Sequence, residues 1–105
     1  MRFVAILNAG RAWIDGESVE GQDRSVMLAH LQAMRRRYEE GTVLFGGPFR
    51  TGDGGIVLLE APSRLDAKTV LESDPAVGAG VLDYTLFEVR PYFDVIAGEA
   101  WLSKT

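Results

Sequence analysis

Three short runs of this chain, Phe3-Val4-Ala5-Ile6-Leu7, Val43-Leu44-Phe45 and Ile56-Val57-Leu58-Leu59, are apolar at every position. Each is of strand length and rich in β-branched or aromatic residues. A strand with one face in water alternates apolar and polar residues, and these do not. Whatever sheet they form needs cover on both faces.

The remaining elements follow from periodicity and punctuation. Residues 2–8 predict a first strand and residues 9–22 a loop. From about Asp23 to Glu40 the pattern turns helical, with Met27, Leu31, Met34 and Tyr38 recurring on one side and Gly41 supplying the stop. Residues 42–47 and 55–61 predict two strands joined by the turn-rich 48–54 segment, in hairpin fashion. Ser63 with Asp66 three residues on makes a variant capping box, and Pro75 predicts that the second helix ends near Asp74. Residues 76–82 predict a flexible connection, and residues 84–90 a fourth strand. A tail from about residue 92 to 105 carries Val95, Ile96, Trp101 and Leu102.

The order βαββαβ predicts an α+β, ferredoxin-like domain spanning residues 1–105, with two helices on one face of a four-stranded antiparallel sheet. Because helices cover only one face, the other apolar face predicts a homodimer packed sheet on sheet. The competing expectation is a monomer whose tail folds back over that face. In the dimer, Trp101 and Leu102 of the tail would dock on the partner subunit.

Composition narrows the function classes. The formal net charge of -4 disfavours nucleic acid, whose binders carry basic faces. No apolar run approaches the roughly 18 residues that span a bilayer, and the N-terminal run lacks a secretory cleavage pattern, so no membrane association and a cytoplasmic location are expected. The chain has no cysteine and one histidine, which removes thiol nucleophiles and leaves no expectation of a metal site. Gly46-Gly47-Pro48 to Gly55 lacks the lysine and spacing of a phosphate loop, and Gly78-Ala79-Gly80 does not open a helix after a strand. No cofactor is expected.

The single histidine, His30, projects about 60° to one side of the first helix's apolar stripe. Taken alone, this helix favours a satisfied boundary histidine with one ring nitrogen in solvent. Asp74 falls seven residues after Ala67, on the face shared by Ala67, Val70 and Leu71, so a carboxylate is aimed inward. It also stands at a helix C-terminus, where negative charge is disfavoured. The plainer alternative is that Asp-Pro starts a turn. Both helices pack on one sheet face, so His30 and Asp74 can meet. A carboxylate against an imidazole fixes its tautomer and orientation, which is the logic of a His-Asp pair in acid-base chemistry.

The runs AHLQAM and EEGTVLFGGP, then VLESDPAVGAG and FEVRPY, together resemble the YCII-related family over nearly the whole chain. The shared pattern is His-Leu in the first helix, Gly-Pro after the second strand, and Asp-Pro followed by Gly. The resemblance implies a dimeric ferredoxin-like α/β barrel with His30 and Asp74 as the active-site pair. Dehydrochlorination of a chlorinated hydroxyhydroquinone is known in the family, which implies proton abstraction with loss of a leaving group. Ala76 departs from the pattern, in which an aromatic residue is common after Asp-Pro, and leaves room for a different ligand.

The expected activity is therefore proton transfer by His30, oriented by Asp74, on a small carbonyl or phenolic substrate, of lyase, isomerase or cyclase type. The alternative is a binding module in which the pair is structural. A pocket between helices and sheet would be lined by Met34, Phe45 and Tyr84. Trp13 either closes over that pocket or caps the end of the core. Arg37, two turns from His30, is a candidate contact for an anionic substrate, whereas Arg35 and Arg36 point elsewhere.

Overall fold

The computed structural model describes residues 1–94 and the backbone of Gly98 and Glu99. The expectation that Trp101 and Leu102 dock on a partner falls outside the described residues. The order is β1 (Arg2–Ala9), α1 (Arg24–Glu39), β2 (Val43–Pro48), β3 (Gly55–Glu60), α2 (Arg64–Glu72), α3 (Pro75–Gly78) and β4 (Leu82–Val89). Two short strands, β5 (Phe93–Asp94) and β6 (Gly98–Glu99), pair with each other. The main sheet is antiparallel in the order β2-β3-β1-β4, the ferredoxin-like arrangement.

Register divides each strand between two faces. Phe3, Ala5 and Leu7 of β1, Val57 and Leu59 of β3 and Leu82 and Leu86 of β4 are buried beneath the helices. Ala67, Val70 and Leu71 of α2 and Ala76 of α3 complete that core. On the opposite face Val4 pairs with Leu58 and Phe87, Ile6 pairs with Ile56, and Phe45 pairs with Leu58. No helix covers these side chains, and Phe45 and Phe87 are 62% and 51% exposed.

Caps set the helix ends. Asp23 caps α1 by accepting from Val26 N at 3.1 Å. The Ser63 hydroxyl caps α2 by accepting from Asp66 N and donating to the Asp66 carboxylate, which is the forward half of the expected capping box, the Asp66 side chain taking the Ser63 hydroxyl in place of its backbone N–H. No helix among the described residues is long and apolar enough to cross a membrane.

Two expectations give way. Residues 76–82 are not simply a connection, because Pro75–Gly78 forms α3. Asp74 is accordingly the N-cap of a new helix and not an anomalous charge at the end of the old one. Proline at the first helical position is preorganised for this, having no N–H to orphan. The turn after α3 is held against β1, with Gly10 N donating to Val81 O and Ala12 N to Gly80 O. A Cβ at Gly10 would lie 2.2 Å from Gly80 O, so this close approach requires glycine.

The second difference concerns the roll of α1. The stripe expected to face the core is only partly inward: Met27 and Met34 pack against the core, while Leu31 and Tyr38 are 60% and 64% exposed. No residue of α1 is fully buried. The helix is turned so that Met27, His30 and Met34 face inward and Leu31 and Tyr38 overhang a gap.

Candidate active site

Asp74 is held where α2 passes into α3. Its Oδ2 accepts from Ala76 N at 3.0 Å and from Val77 N at 3.3 Å. Both carboxylate oxygens lie 2.8 Å from His30 Nδ1. The Asp74 side chain is 1% exposed and that of His30 is 12% exposed. A carboxylate is acceptor-only, so Nδ1 carries the proton and donates it to the pair of oxygens. In the neutral ring the lone pair then belongs to Nε2.

That second nitrogen is open. Nε2 has no hydrogen-bond partner among the described residues, yet no side-chain nitrogen or oxygen among them is both buried and unpaired. Nε2 is therefore reached by solvent, and His30 lines a cleft between α1 and the β2–β3 hairpin. The cleft volume is about 1010 Å³. Its walls include Met27, Leu31 and Met34 from α1 and Val43, Gly46 and Val57 from the sheet.

The cleft exists because layer packing is incomplete there. A helix normally seats its apolar side chains between those of the sheet beneath it. Gly46 and Gly55 supply none at the positions facing α1, so Leu31 is left 60% exposed with nothing to interdigitate with. A Cβ at Gly54 would lie 2.3 Å from Leu7 O, and one at Gly55 would lie 2.7 Å from Gly47 O. Those two glycines are demanded by chain approach as well.

The residues expected around the pair are divided by the structure. Met34 lines the cleft, whereas Phe45 only borders it at the edge strand β2, in register with Leu58 of the uncovered face. Trp13 packs against the core and lies outside the cleft wall. Arg37 reaches Ser73 Oγ at 3.4 Å and Glu40 at 3.5 Å, tying α1 to the residue before Asp74, and is not part of the wall either. Tyr84 donates its hydroxyl to Glu72 at 2.9 Å, away from the cleft. Its burial, with the Glu72 hydrogen bond and charge, pushes the phenol up to about 12. Among the described residues no group of three or more His, Asp or Glu side chains could hold a metal ion.

Gly46 and the α3 cap are the parts of the site missing from the sequence reading. The cap had a signal, Asp followed by Pro. The glycine carried only the general mark of a strand interior interrupted for space.

The model of the YCII-related domain matches residues 1–92. The chain belongs to the YCII-related family. No curated protein matches its sequence. Two solved structures share the fold of this YCII-related chain. One is a 5-chloro-2-hydroxyhydroquinone dehydrochlorinase from Burkholderia phenoliruptrix AC1100, in complex with 2,5-dihydroxybenzoquinone: TM-score 0.65, 19% identity, covering 86% of this chain and 94% of that one. The other is muconolactone isomerase, with TM-score 0.70, 13% identity, and 95% and 100% of the two chains covered. At these identities both are likenesses of fold.

Proposed function

We propose that this YCII-related protein is a cofactor-independent enzyme that moves a proton on a small carbonyl or phenolic metabolite, in a lyase, isomerase or cyclase reaction. His30 Nε2 is the general base, and Asp74 orients the imidazole and stabilises the imidazolium formed on proton transfer. The observation that carries this reading is the unequal treatment of the two ring nitrogens: Nδ1 is bonded to a buried carboxylate, and Nε2 opens on an apolar cleft. In that surrounding an acidic C–H beside a carbonyl or phenolic oxygen can be placed against Nε2, with the apolar walls taking the rest of the ligand. A dehydrochlorinase and an isomerase on the same fold support chemistry of this type.

A structural pair is the alternative. It accounts for Asp74, whose cap on α3 needs no histidine, but supplies no reason for the apolar cleft beside the imidazole. The proposal includes a cytoplasmic location, for which a chain without cysteine is suited. It also includes a homodimer that packs the uncovered face of Val4, Ile6, Phe45, Ile56, Leu58 and Phe87 against its copy.

The test is hydrogen exchange at carbon. Small phenols, lactones and ketones are incubated with the protein in D₂O and followed by proton NMR. Enzyme-dependent deuterium uptake is expected, reduced about 10²–10⁴-fold in His30→Gln. A substrate that exchanges equally well with His30→Gln would overturn the assignment.

A further inference from the structure

The cleft is larger than a single ring at His30 requires. A benzene ring occupies a cavity of about 150 Å³, whereas this cleft holds about 1010 Å³, at the upper end of the range for drug-sized ligands. Its lining follows α1 from Arg24 to Tyr38, about 21 Å at the helical rise, with His30 between the ends.

Gly46 forms the floor midway along β2. It pairs with Val57, whose side chain is buried on the helix face, and directly paired residues share a face. A side chain at Gly46 would therefore project into the cleft. The backbone constrains this glycine less than its neighbours in the hairpin. Gly46 is not among the glycines with positive φ. A Cβ would meet Val57 Cγ2 at 3.7 Å, an ordinary contact, and Ile56 O at 3.3 Å, a tight one that asks the main chain to give by a few tenths of an ångström. Gly54 and Gly55 differ, their Cβ positions being blocked by main-chain oxygens. Glycine within a strand costs stability relative to a residue with a side chain, and a less constrained one marks a place kept free for something to approach the backbone.

We propose that Gly46 is the specificity-determining residue of the cleft, and that the ligand is a flat phenol or ketone of two or three fused rings laid on the bare β2 backbone. Met27, Leu31 and Met34 form the roof. Thioether side chains adapt their shape to a ring and contact its edge favourably. The placing of the reacting carbon at Nε2 rests on the proton-transfer reading above; the size and shape of the ligand do not.

The experiment is calorimetric titration of the full chain with hydroquinone, 1,4-dihydroxynaphthalene and 1,4-dihydroxyanthracene under anaerobic conditions, with decanoate as an unbranched apolar control. Wild type, Gly46→Ala, Gly46→Leu and His30→Gln are compared, each checked for a cooperative melt. In wild type each added ring should tighten binding about tenfold, and decanoate should bind more weakly than the three-ring compound. Gly46→Leu should weaken the three-ring compound about 100-fold while leaving hydroquinone within about threefold. Gly46→Ala should give an intermediate loss and keeps the test alive should the leucine variant not fold. A flat wild-type series, tighter binding of decanoate, or equal losses for all rings in folded Gly46 variants would each overturn the proposal. His30→Gln should keep the gain with each added ring, whatever its effect on the absolute affinities. Ring-graded binding without His30-dependent exchange would sink the catalytic reading alone, and exchange with a flat series would sink this one alone.

Discussion

Replacing Asp74 by alanine should cost about 3 kcal/mol of folding stability, and the structure shows how that figure arises. Oδ2 caps α3 through two backbone N–H groups, and loss of an N-cap side chain costs about 1 kcal/mol. The bond to His30 Nδ1, 2.8 Å long and almost wholly buried on the Asp74 side, involves a charged acceptor and is worth roughly 1.5–3 kcal/mol. Ala76, fully buried, would keep its N–H without a partner, which works against any relaxation that recovers part of the loss. Asp74→Asn keeps one amide oxygen, which can hold the cap, but sets an NH₂ donor against the Nδ1–H, so it should recover only the cap's share of about 1 kcal/mol. The measurement is urea unfolding at neutral pH, with the denaturant slope compared to confirm that only stability has changed. For a domain of this size, 3 kcal/mol corresponds to a melting temperature lower by roughly 12–24 °C. His30→Gln leaves both cap bonds in place and should destabilise less than Asp74→Ala. If Asp74→Ala unfolds within about 0.5 kcal/mol of wild type, the cap and the buried bond do not hold α3, and the account of the site's rigidity fails.

Leu31→Ala should change stability by less than about 1 kcal/mol, because the side chain overhangs the cleft, whereas Leu71→Ala removes a fully buried residue and should cost about 2–5 kcal/mol; equal losses in denaturation curves would contradict the roll assigned to α1. Leu58→Glu combined with Phe87→Glu puts two carboxylates on the uncovered sheet face and should halve the mass read by light scattering; an unchanged dimer would place the interface elsewhere. Tyr84 is held protonated up to about 12 in the folded chain against about 10 in an unfolded one. The folded state therefore binds more protons between those values, so wild-type stability should fall from pH 10 toward pH 12 more steeply than that of Tyr84→Phe. Equal slopes would mean that the Glu72 contact does not form.

Local chemistry made most of the fold legible. The apolar runs gave β1, β2 and β3, and the Asp23 and Ser63 caps placed the starts of α1 and α2 where side-chain oxygens meet free N–H groups. The meeting of His30 with Asp74 was legible for a partly mistaken reason. Asp74 was expected to be conspicuous as a charge at a helix end, and it is instead an ordinary cap on α3, with its second role made by proximity to α1. The roll of α1 could not be read from its own residues. Periodicity ranks which side is apolar, but the direction that turns inward depends on what the sheet offers beneath it, and the absence of side chains at Gly46 and Gly55 is a fact about different strands.

The same absence joins fold to site. Had Gly46 carried a leucine, Leu31 could have packed against it, and the part of the cleft beyond a first ring at His30 would have been filled. The stability forgone by leaving Leu31 60% exposed is about 1–2 kcal/mol. That loss must be offset by the core beneath β1 and α2, where Phe3, Leu59 and Leu71 are fully buried. The molecule divides accordingly: α2, α3 and the β1–β4 half of the sheet fix the carboxylate, and the under-packed α1–β2 half supplies the space beside the imidazole. A substitution that improves packing in the second half should therefore raise the melting temperature and weaken ligand binding together, and Gly46→Leu is the substitution for which that trade is sharpest.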